Sequence, residues 1–243
     1  MNTKELIEAA QGGDPDAQYK IGLLHALGKG IPRNVKAAQH WFSLAANNGH
    51  ADAQCNLGFY FATGEGMEQD VDTAFKLFQL AADQGHGQAC CNLGRFYAAG
   101  IGVDEDIHRS AEYYQKAAEQ GISEAAYNLG IIYYNGVLKG QPDFEAATKY
   151  FLQAAEAGVS EAQYALGLCY SNGEGVDLDD EQAAVWYQKA ADQNHPSALY
   201  NLAVYTQSGL GGLEEDDKKA NELIEKAAEG GHEKAREMVA KFR

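Results

Sequence analysis

The chain has 243 residues, of which 45% are hydrophobic and 22% are charged. This balance is typical of a soluble globular protein. The 35 acidic and 19 basic residues give a formal net charge of −16, and such a field repels phosphate backbones and anionic lipids. We therefore expect no nucleic-acid partner and no membrane-surface role. The charge favours a basic partner; the alternative is that it only keeps an exposed repeat protein in solution.

The sequence shows no sign of membrane insertion or secretion. No apolar run reaches the ~18 residues that a spanning helix requires, and the first residues, MNTKELIEAAQGGDPDAQ, contain no apolar signal core. Cys55, Cys90, Cys91 and Cys169 share no common phase in the repeat described below, so we expect free thiols and no disulfide framework. A cytoplasmic location is predicted, or a periplasmic or secreted one if a signal peptide has been removed.

Internal repetition dominates the chain from its first predicted helix onward. A phrase such as NLG recurs every 36 or 37 residues, centred on Gly22, Gly58, Gly94, Gly130, Gly167 and Ala203. In chain order, we predict a capping helix over 3–12, six repeats over 17–52, 53–88, 89–124, 125–161, 162–197 and 198–234, and a second capping helix over 233–242. Because each repeat packs mainly on its neighbours, residues 1–243 are predicted to form a single solenoid domain.

Each repeat is predicted to contain two helices joined by a glycine-rich turn. The second helix carries small and aromatic residues at i, i+3, i+4 and i+7, as over residues 38–46, which is helical spacing. Short polar side chains that suit its N-cap recur at Asn34, Asp70, Asp106, Asp143, Asp179 and Asp216. Residues that suit a left-handed helix end recur at Gly13, Gly49, Gly85, Gly121, Gly158, Asn194 and Gly231. We expect close helix crossings at Ala45, Ala81, Ala117, Ala154, Ala190 and Ala227.

The repeat resembles the Sel-one-like repeat family, most closely over residues 162–175 (AQYALGLCYSNGEG) and 183–191 (AAVWYQKAA). The resemblance covers essentially residues 5–240. It implies an all-α, right-handed α-solenoid superhelix of tetratricopeptide-like helix-turn-helix repeats, with about six 36-residue repeats between half-repeat caps. Members of that family are adaptors and scaffolds for protein complexes in signalling, in protein quality control and in bacterial host interaction. Some cysteine-rich secreted relatives are associated with β-lactamase activity, and this chain lacks their repeated cysteine pair.

The repeat explains the motifs that could suggest chemistry. The GxG turns, at 28–30, 64–66, 100–102 and 173–175, lack the preceding strand and the third glycine of a dinucleotide site. Four histidines take equivalent positions about one repeat apart, too far to share a metal ion, and are predicted to start helices; they are His50, His86, His195 and His232. We therefore predict no metal site and no cofactor.

An enzymatic role is not expected. A penicillin-recognising enzyme needs a serine with a lysine three residues later, and none of the seven serines has one. We predict a non-catalytic scaffold or adaptor. Two alternatives stay open: a penicillin-recognising or β-lactamase-type enzyme, and a homo-oligomeric structural protein. The sequence leaves the oligomeric state undetermined.

The predicted binding surface lies on the first helix of each repeat. Counting from the Leu-Gly glycine at 100° per residue, positions −3, −2, +1 and +4 fall opposite the core and carry tyrosine, asparagine and apolar side chains where charged ones are usual. The candidate protein-binding residues are Asn56, Phe59, Asn92, Arg95, Tyr127, Asn128, Ile131, Tyr164, Leu168, Tyr200 and Asn201. Acids at position −6, among them Glu161, would edge this surface and favour a basic protein or peptide. The alternative is that the face is ordinary packing between helices.

Overall fold

The computed structural model describes residues 3–241, which form fourteen α-helices and no β-strand. In chain order they are α1 (Thr3–Gln11), α2 (Pro15–Leu27), α3 (Val35–Asn47), α4 (Ala51–Thr63), α5 (Val71–Asp83), α6 (Gly87–Ala99), α7 (Ile107–Glu119), α8 (Ser123–Tyr134), α9 (Phe144–Glu156), α10 (Ser160–Asn172), α11 (Asp180–Asp192), α12 (Pro196–Ser208), α13 (Asp217–Glu229) and α14 (Glu233–Lys241). Two helices per repeat, with a single helix at each end, confirm the predicted all-α repeat fold. Residue 242 of the predicted capping helix lies outside the described residues.

The helices divide into two compact units. Unit 1, Met1–Ile122, contains α1 to α7, and unit 2, Ser123–Arg243, contains α8 to α14. Within each unit, every helix packs on the helices before and after it in the chain. The first helices of the repeats are α2, α4, α6, α8, α10 and α12, and the second helices are α3, α5, α7, α9, α11 and α13. A single solenoid domain over 1–243 stays a prediction.

Side-chain caps fix where the helices begin. All six predicted Asp and Asn residues are N-caps of second helices, as at Asp70, whose Oδ1 accepts from the Thr73 amide at 3.0 Å. The predicted helix-start role of the four histidines is also confirmed, because each Nδ1 accepts a backbone amide three residues later at 3.1 to 3.3 Å. These contacts satisfy amides that a helix N-terminus otherwise leaves without a partner.

Left-handed residues fix where the helices end. Each predicted closing residue has a positive φ, including Asn194 at 61°, the one non-glycine residue of residues 3–241 in this region. Asparagine tolerates the left-handed conformation better than most residues with a Cβ. Both glycines of every GxG turn also have positive φ, which confirms that these turns have a structural role.

A close approach between the two helices of a repeat explains the Leu-Gly phrase. In the third repeat, a Cβ on Gly94 would lie 2.7 Å from a ring carbon of Tyr114, too close for a real contact. Phe42, Phe78, Phe151 and Tyr187 lie in the same way against the glycines of their own repeats. The sixth repeat has Ala203, and the equivalent second-helix residue is the smaller Ile224. The six alanines predicted at helix crossings are all fully buried.

A buried polar contact links neighbouring repeats within each unit, and the sequence reasoning missed it. In unit 2, Gln163 Nε2 donates to the Ala155 carbonyl at 3.1 Å, and its Oε1 accepts from Gln193 Nε2 at 2.9 Å. In unit 1, the same arrangement joins Gln18 to Asn48 and Gln54 to Gln84. The available signal is that an amide side chain recurs 30 residues after each buried glutamine.

Candidate protein-binding surface

Seven of the predicted binding residues lie on the first helices of unit 2. None of them is fully buried, and each keeps part of its side chain accessible. We name this surface the unit 2 face; its members are Tyr127, Asn128, Ile131, Tyr164, Leu168, Tyr200 and Asn201. Partial burial is typical of side chains that are held in place and can still contact a partner.

Four residues of the unit 2 face line a cavity of about 330 Å³. We name it the tyrosine cavity; its walls are Tyr127, Ile131, Tyr134, Phe151, Glu161, Tyr164, Ala165, Leu168, His195 and Ser197. The walls come from α8, α9 and α10 and from the start of α12. Aromatic and aliphatic walls with a few polar groups are typical of a binding pocket.

A second cavity, of about 580 Å³, shares Tyr164, His195 and Ser197 with the tyrosine cavity. It extends over Tyr200 and Asn201 to residues at the α13–α14 junction, among them His232. The two cavities therefore adjoin each other on the first helices of unit 2. This arrangement brings six of the seven residues of the unit 2 face, all except Asn128, to cavity walls.

Histidine rings hold two of the tyrosines in position, a feature that sequence reasoning missed. Tyr164 stacks on His195 with 4.8 Å between ring centroids, and Tyr200 stacks on His232 at 4.3 Å. Because each histidine Nδ1 also caps a helix, neither ring can turn without breaking a cap. The sequence signal is a tyrosine followed 31 or 32 residues later by a helix-starting histidine.

The walls of the tyrosine cavity are largely uncharged near neutral pH. Burial raises the pKa of the Tyr127 and Tyr164 hydroxyls, and burial together with Glu174 raises the pKa of Tyr134 to about 12. Tyr134 Oη donates to Glu174 Oε2 at 2.8 Å. Burial lowers the pKa of His195, which favours its neutral form. Glu161 is therefore the charged residue among the walls.

The four predicted residues of unit 1 have different surroundings. Asn56 is half-buried, and Phe59 and Arg95 are exposed. Asn92 is only 6% exposed, so the prediction that its amide faces an open groove is wrong. Its Nδ2 lies 4.0 Å from Cys55 Sγ, and its Oδ1 accepts from Arg95 Nη2 at 3.0 Å.

The short side chains at position −3 explain this difference. Cys55 and Cys91 occupy the positions that tyrosine occupies in unit 2, and both are buried. A thiol is much shorter than a tyrosine side chain, and the amide of Asn92 lies against Cys55 of the preceding repeat. Burial raises the pKa of the Cys55 thiol to about 12, which keeps the thiol protonated and unreactive.

Within residues 3–241, no three His, Cys, Asp or Glu side chains lie close enough together to hold a metal ion. No helix in that part of the chain is both long enough and apolar enough to cross a membrane.

Comparison with solved structures finds repeat proteins of the same fold. A protective antigen of uropathogenic Escherichia coli strains, c5321, which displays an SLR fold, is 32% identical with a TM-score of 0.87 over 97% of this chain. The chain spans 50% of the length of that antigen. A Sel1 repeat protein from Oxalobacter formigenes is 31% identical with a TM-score of 0.77, over 93% of this chain and 88% of the other.

A comparison with curated proteins gives no significant match. Comparison with protein families finds six Sel1 repeats, at residues 15–50, 51–86, 87–122, 123–159, 160–195 and 196–232. Each begins two residues earlier than the repeat predicted above. The six matches follow one another without a gap and cover most of the chain. This chain therefore belongs to the Sel1 repeat family.

Proposed function

We propose that the chain is a non-catalytic scaffold or adaptor that binds a protein or peptide segment along the unit 2 face. The observation that carries the proposal is the pair of adjoining cavities that share Tyr164. An extended segment needs consecutive pockets for its side chains, and cavities on neighbouring first helices supply them. The large aromatic walls offer apolar area with polar tips, which suits protein interfaces.

The face is preorganised for binding. Tyr164 is packed between His195 and Tyr187, and Tyr127 lies against Phe151. Because neighbouring rings already restrict these side chains, binding loses less side-chain entropy than it would at a flexible surface. Asn128 and Asn201 can each donate to and accept from a partner's backbone.

Electrostatics favours a basic partner. The whole chain carries a formal charge of −16, and Glu161 lies at the tyrosine cavity. Charges at the edge of an interface mainly set the association rate and its salt dependence. We therefore expect the association rate to fall as salt is added.

The test is capture of a partner by the purified chain, followed by affinity measurements on single variants. Tyr164→Ala should weaken binding ~30-fold, which corresponds to ~2 kcal/mol for a tyrosine anchor. Asn128→Ala should have a smaller effect of about 0.5–1.5 kcal/mol, the net value of a hydrogen bond. Thermal melts of both variants check that the fold is retained.

Gln188→Ala is the matched control, because Gln188 is exposed on the second helix α11. It should bind with the affinity of the unaltered chain. If Gln188→Ala weakens binding and Tyr164→Ala does not, the partner uses the second-helix side and the proposal fails.

The non-catalytic part of the proposal has its own assay. The purified chain should not hydrolyse nitrocefin or simple esters. Turnover that follows this chain through purification, and that one point mutation abolishes, would contradict a pure scaffold role.

We also propose that the chain works in a reducing compartment such as the cytoplasm. All four cysteines are buried and none is in a disulfide, which supports this location. Titration of denatured, unreduced protein should find four thiols, and a count of two or none would indicate an oxidising compartment.

A further inference from the structure

The tyrosine cavity combines aromatic walls with one carboxylate, and this combination selects a particular kind of side chain. Its rings belong to Tyr127, Tyr134, Phe151, Tyr164 and His195, and its charged wall residue is Glu161. We propose that the cavity receives one arginine side chain of the bound segment, with the guanidinium against the tyrosine rings and paired with Glu161. This inference rests on the proposed function, because it names the anchor residue of the partner that the unit 2 face binds.

The first argument is that Glu161 has no cationic partner within the described residues. Its Oε2 accepts from the adjacent Ser160 Oγ at 3.0 Å. Among residues 3–241, no lysine, arginine or histidine lies within ion-pair distance of it. A carboxylate beside an apolar cavity is stabilised by any cation that enters that cavity.

The second argument comes from the same repeat position in unit 1. There, the acid is paired with the histidine that starts the next first helix: Asp16 Oδ1 lies 3.4 Å from His50 Nε2, and Asp52 Oδ1 lies 3.2 Å from His86 Nε2. Glu161 makes no such pair with His195. Glu161 is thus open to a cation from outside the chain, whereas Asp16 and Asp52 already have a partner.

The third argument concerns the position of the carboxylate relative to the rings. Glu161 is close enough for its negative charge to raise the pKa of the Tyr127 hydroxyl, in addition to burial, and to oppose the lowering of the His195 pKa by burial. Both residues line the cavity. A cation paired with Glu161 would therefore lie close to the aromatic walls of the cavity.

Arginine fits these walls better than lysine does. A guanidinium is planar, stacks on aromatic rings and is more weakly hydrated than an ammonium, so it loses less hydration in a site with apolar walls. Its methylene stem can contact Ile131 and Leu168, which line the same cavity. A volume of about 330 Å³ is at the small end of ligand pockets, which suits a single side chain.

The experiment uses peptides selected from a random display library with the full chain as bait. We expect an arginine to recur at one position of the selected peptides. A selected peptide is then synthesised with arginine and with citrulline at that position, since citrulline keeps the shape and removes the charge. For the unaltered chain, citrulline should weaken binding about tenfold or more, in line with a desolvated cation–π contact supported by an ion pair.

Glu161→Gln removes the charge that forms the ion pair and leaves the rest of the cavity unchanged. Glu161 is exposed, so this variant should fold normally, and it should bind the arginine and citrulline peptides with much more similar affinities. Glu156→Gln is the matched control, because Glu156 is an exposed acid at the end of α9 and does not line the cavity. It should keep the full preference for arginine.

The remaining outcomes separate the two proposals. The selected peptides could depend on Tyr164 and yet carry an apolar anchor, or bind equally well with citrulline in place of arginine. Either result would overturn the arginine inference and leave the proposed function standing. Selection of no peptide, or only of peptides insensitive to Tyr164→Ala, would overturn both.

Discussion

Units 1 and 2 share one helical framework and differ in the surface that their first helices present. In both units, Asp or Asn caps the second helices, left-handed residues end them, and alanine lies at the crossings. At position −3, however, α8, α10 and α12 all carry tyrosine, whereas in unit 1 α2 carries Tyr19 and α4 and α6 carry buried cysteine. The tyrosines of unit 2 border cavities, while Cys55 lies against the amide of Asn92, which accepts a hydrogen bond from Arg95.

This comparison shows that framework and surface positions are separable in the repeat. The framework positions are the helix caps, the left-handed helix ends and the alanines at helix crossings. They carry similar residues in nearly every repeat because each meets a local requirement of backbone geometry or packing. The surface positions vary because nothing in the framework constrains them. Binding should therefore depend on the unit 2 face, and stability should depend equally on the frameworks of both units.

The largest expected effect on stability tests the shared framework. Ala117 in unit 1 and Ala190 in unit 2 are both 0% exposed at equivalent helix crossings. Replacing either alanine by leucine should lower the free energy of unfolding by about 1–3 kcal/mol, because the added side chain overpacks the crossing. Urea denaturation of the two variants measures this, with Glu112→Leu, at an exposed position of α7, as control. A large loss of unfolding free energy for one variant and none for the other would show that the two helix crossings are not equivalent.

A smaller effect is expected at Ser110 in α7, where the other five repeats have alanine. Ser110 is 0% exposed and its Oγ has no hydrogen-bond partner among residues 3–241, while the equivalent residue in the other five repeats is a buried alanine. Ser110→Ala should stabilise the protein by about 1 kcal/mol, because it removes a buried hydroxyl without a partner. Ala183→Ser should destabilise unit 2 by a similar amount. No gain for Ser110→Ala would mean that the hydroxyl does find a partner in solution.

The smallest effect is a pH dependence located in unit 2. Burial depresses the pKa of His195 below its ordinary value of 6.5, so the unfolded chain binds this proton more readily than the folded chain does. Its contribution to stability is fully present above about pH 6.5 and is lost as the pH falls through the lower pKa of the folded state. Protonation also removes the Nδ1 acceptor that caps α12.

The measurement is the urea midpoint between pH 7.5 and pH 5. His195→Asn keeps a cap acceptor that does not titrate, so its midpoint should fall less steeply than that of the unaltered chain. If the urea midpoints of the two proteins fall equally steeply with pH, the role given to His195 is contradicted.

The sequence predicts the framework well and the surface only in part. Caps such as Asp70 and closing residues such as Asn194 are predictable because they answer local backbone requirements. The burial of Asn92 was not predictable, because it depends on how a short neighbour, Cys55, leaves room for it. The stacking of Tyr164 on His195 joins residues on different helices, and a helical-wheel argument treats each helix alone.

Hydrogen exchange of the full chain with and without a selected peptide tests the central claim most directly. When the peptide is bound, exchange should slow in α8, α10 and α12 and stay unchanged in α4 and α6. The reason is that residues of the unit 2 face line the cavities proposed to bind the peptide. Protection of α4 and α6, or protection confined to second helices such as α11, would contradict the account.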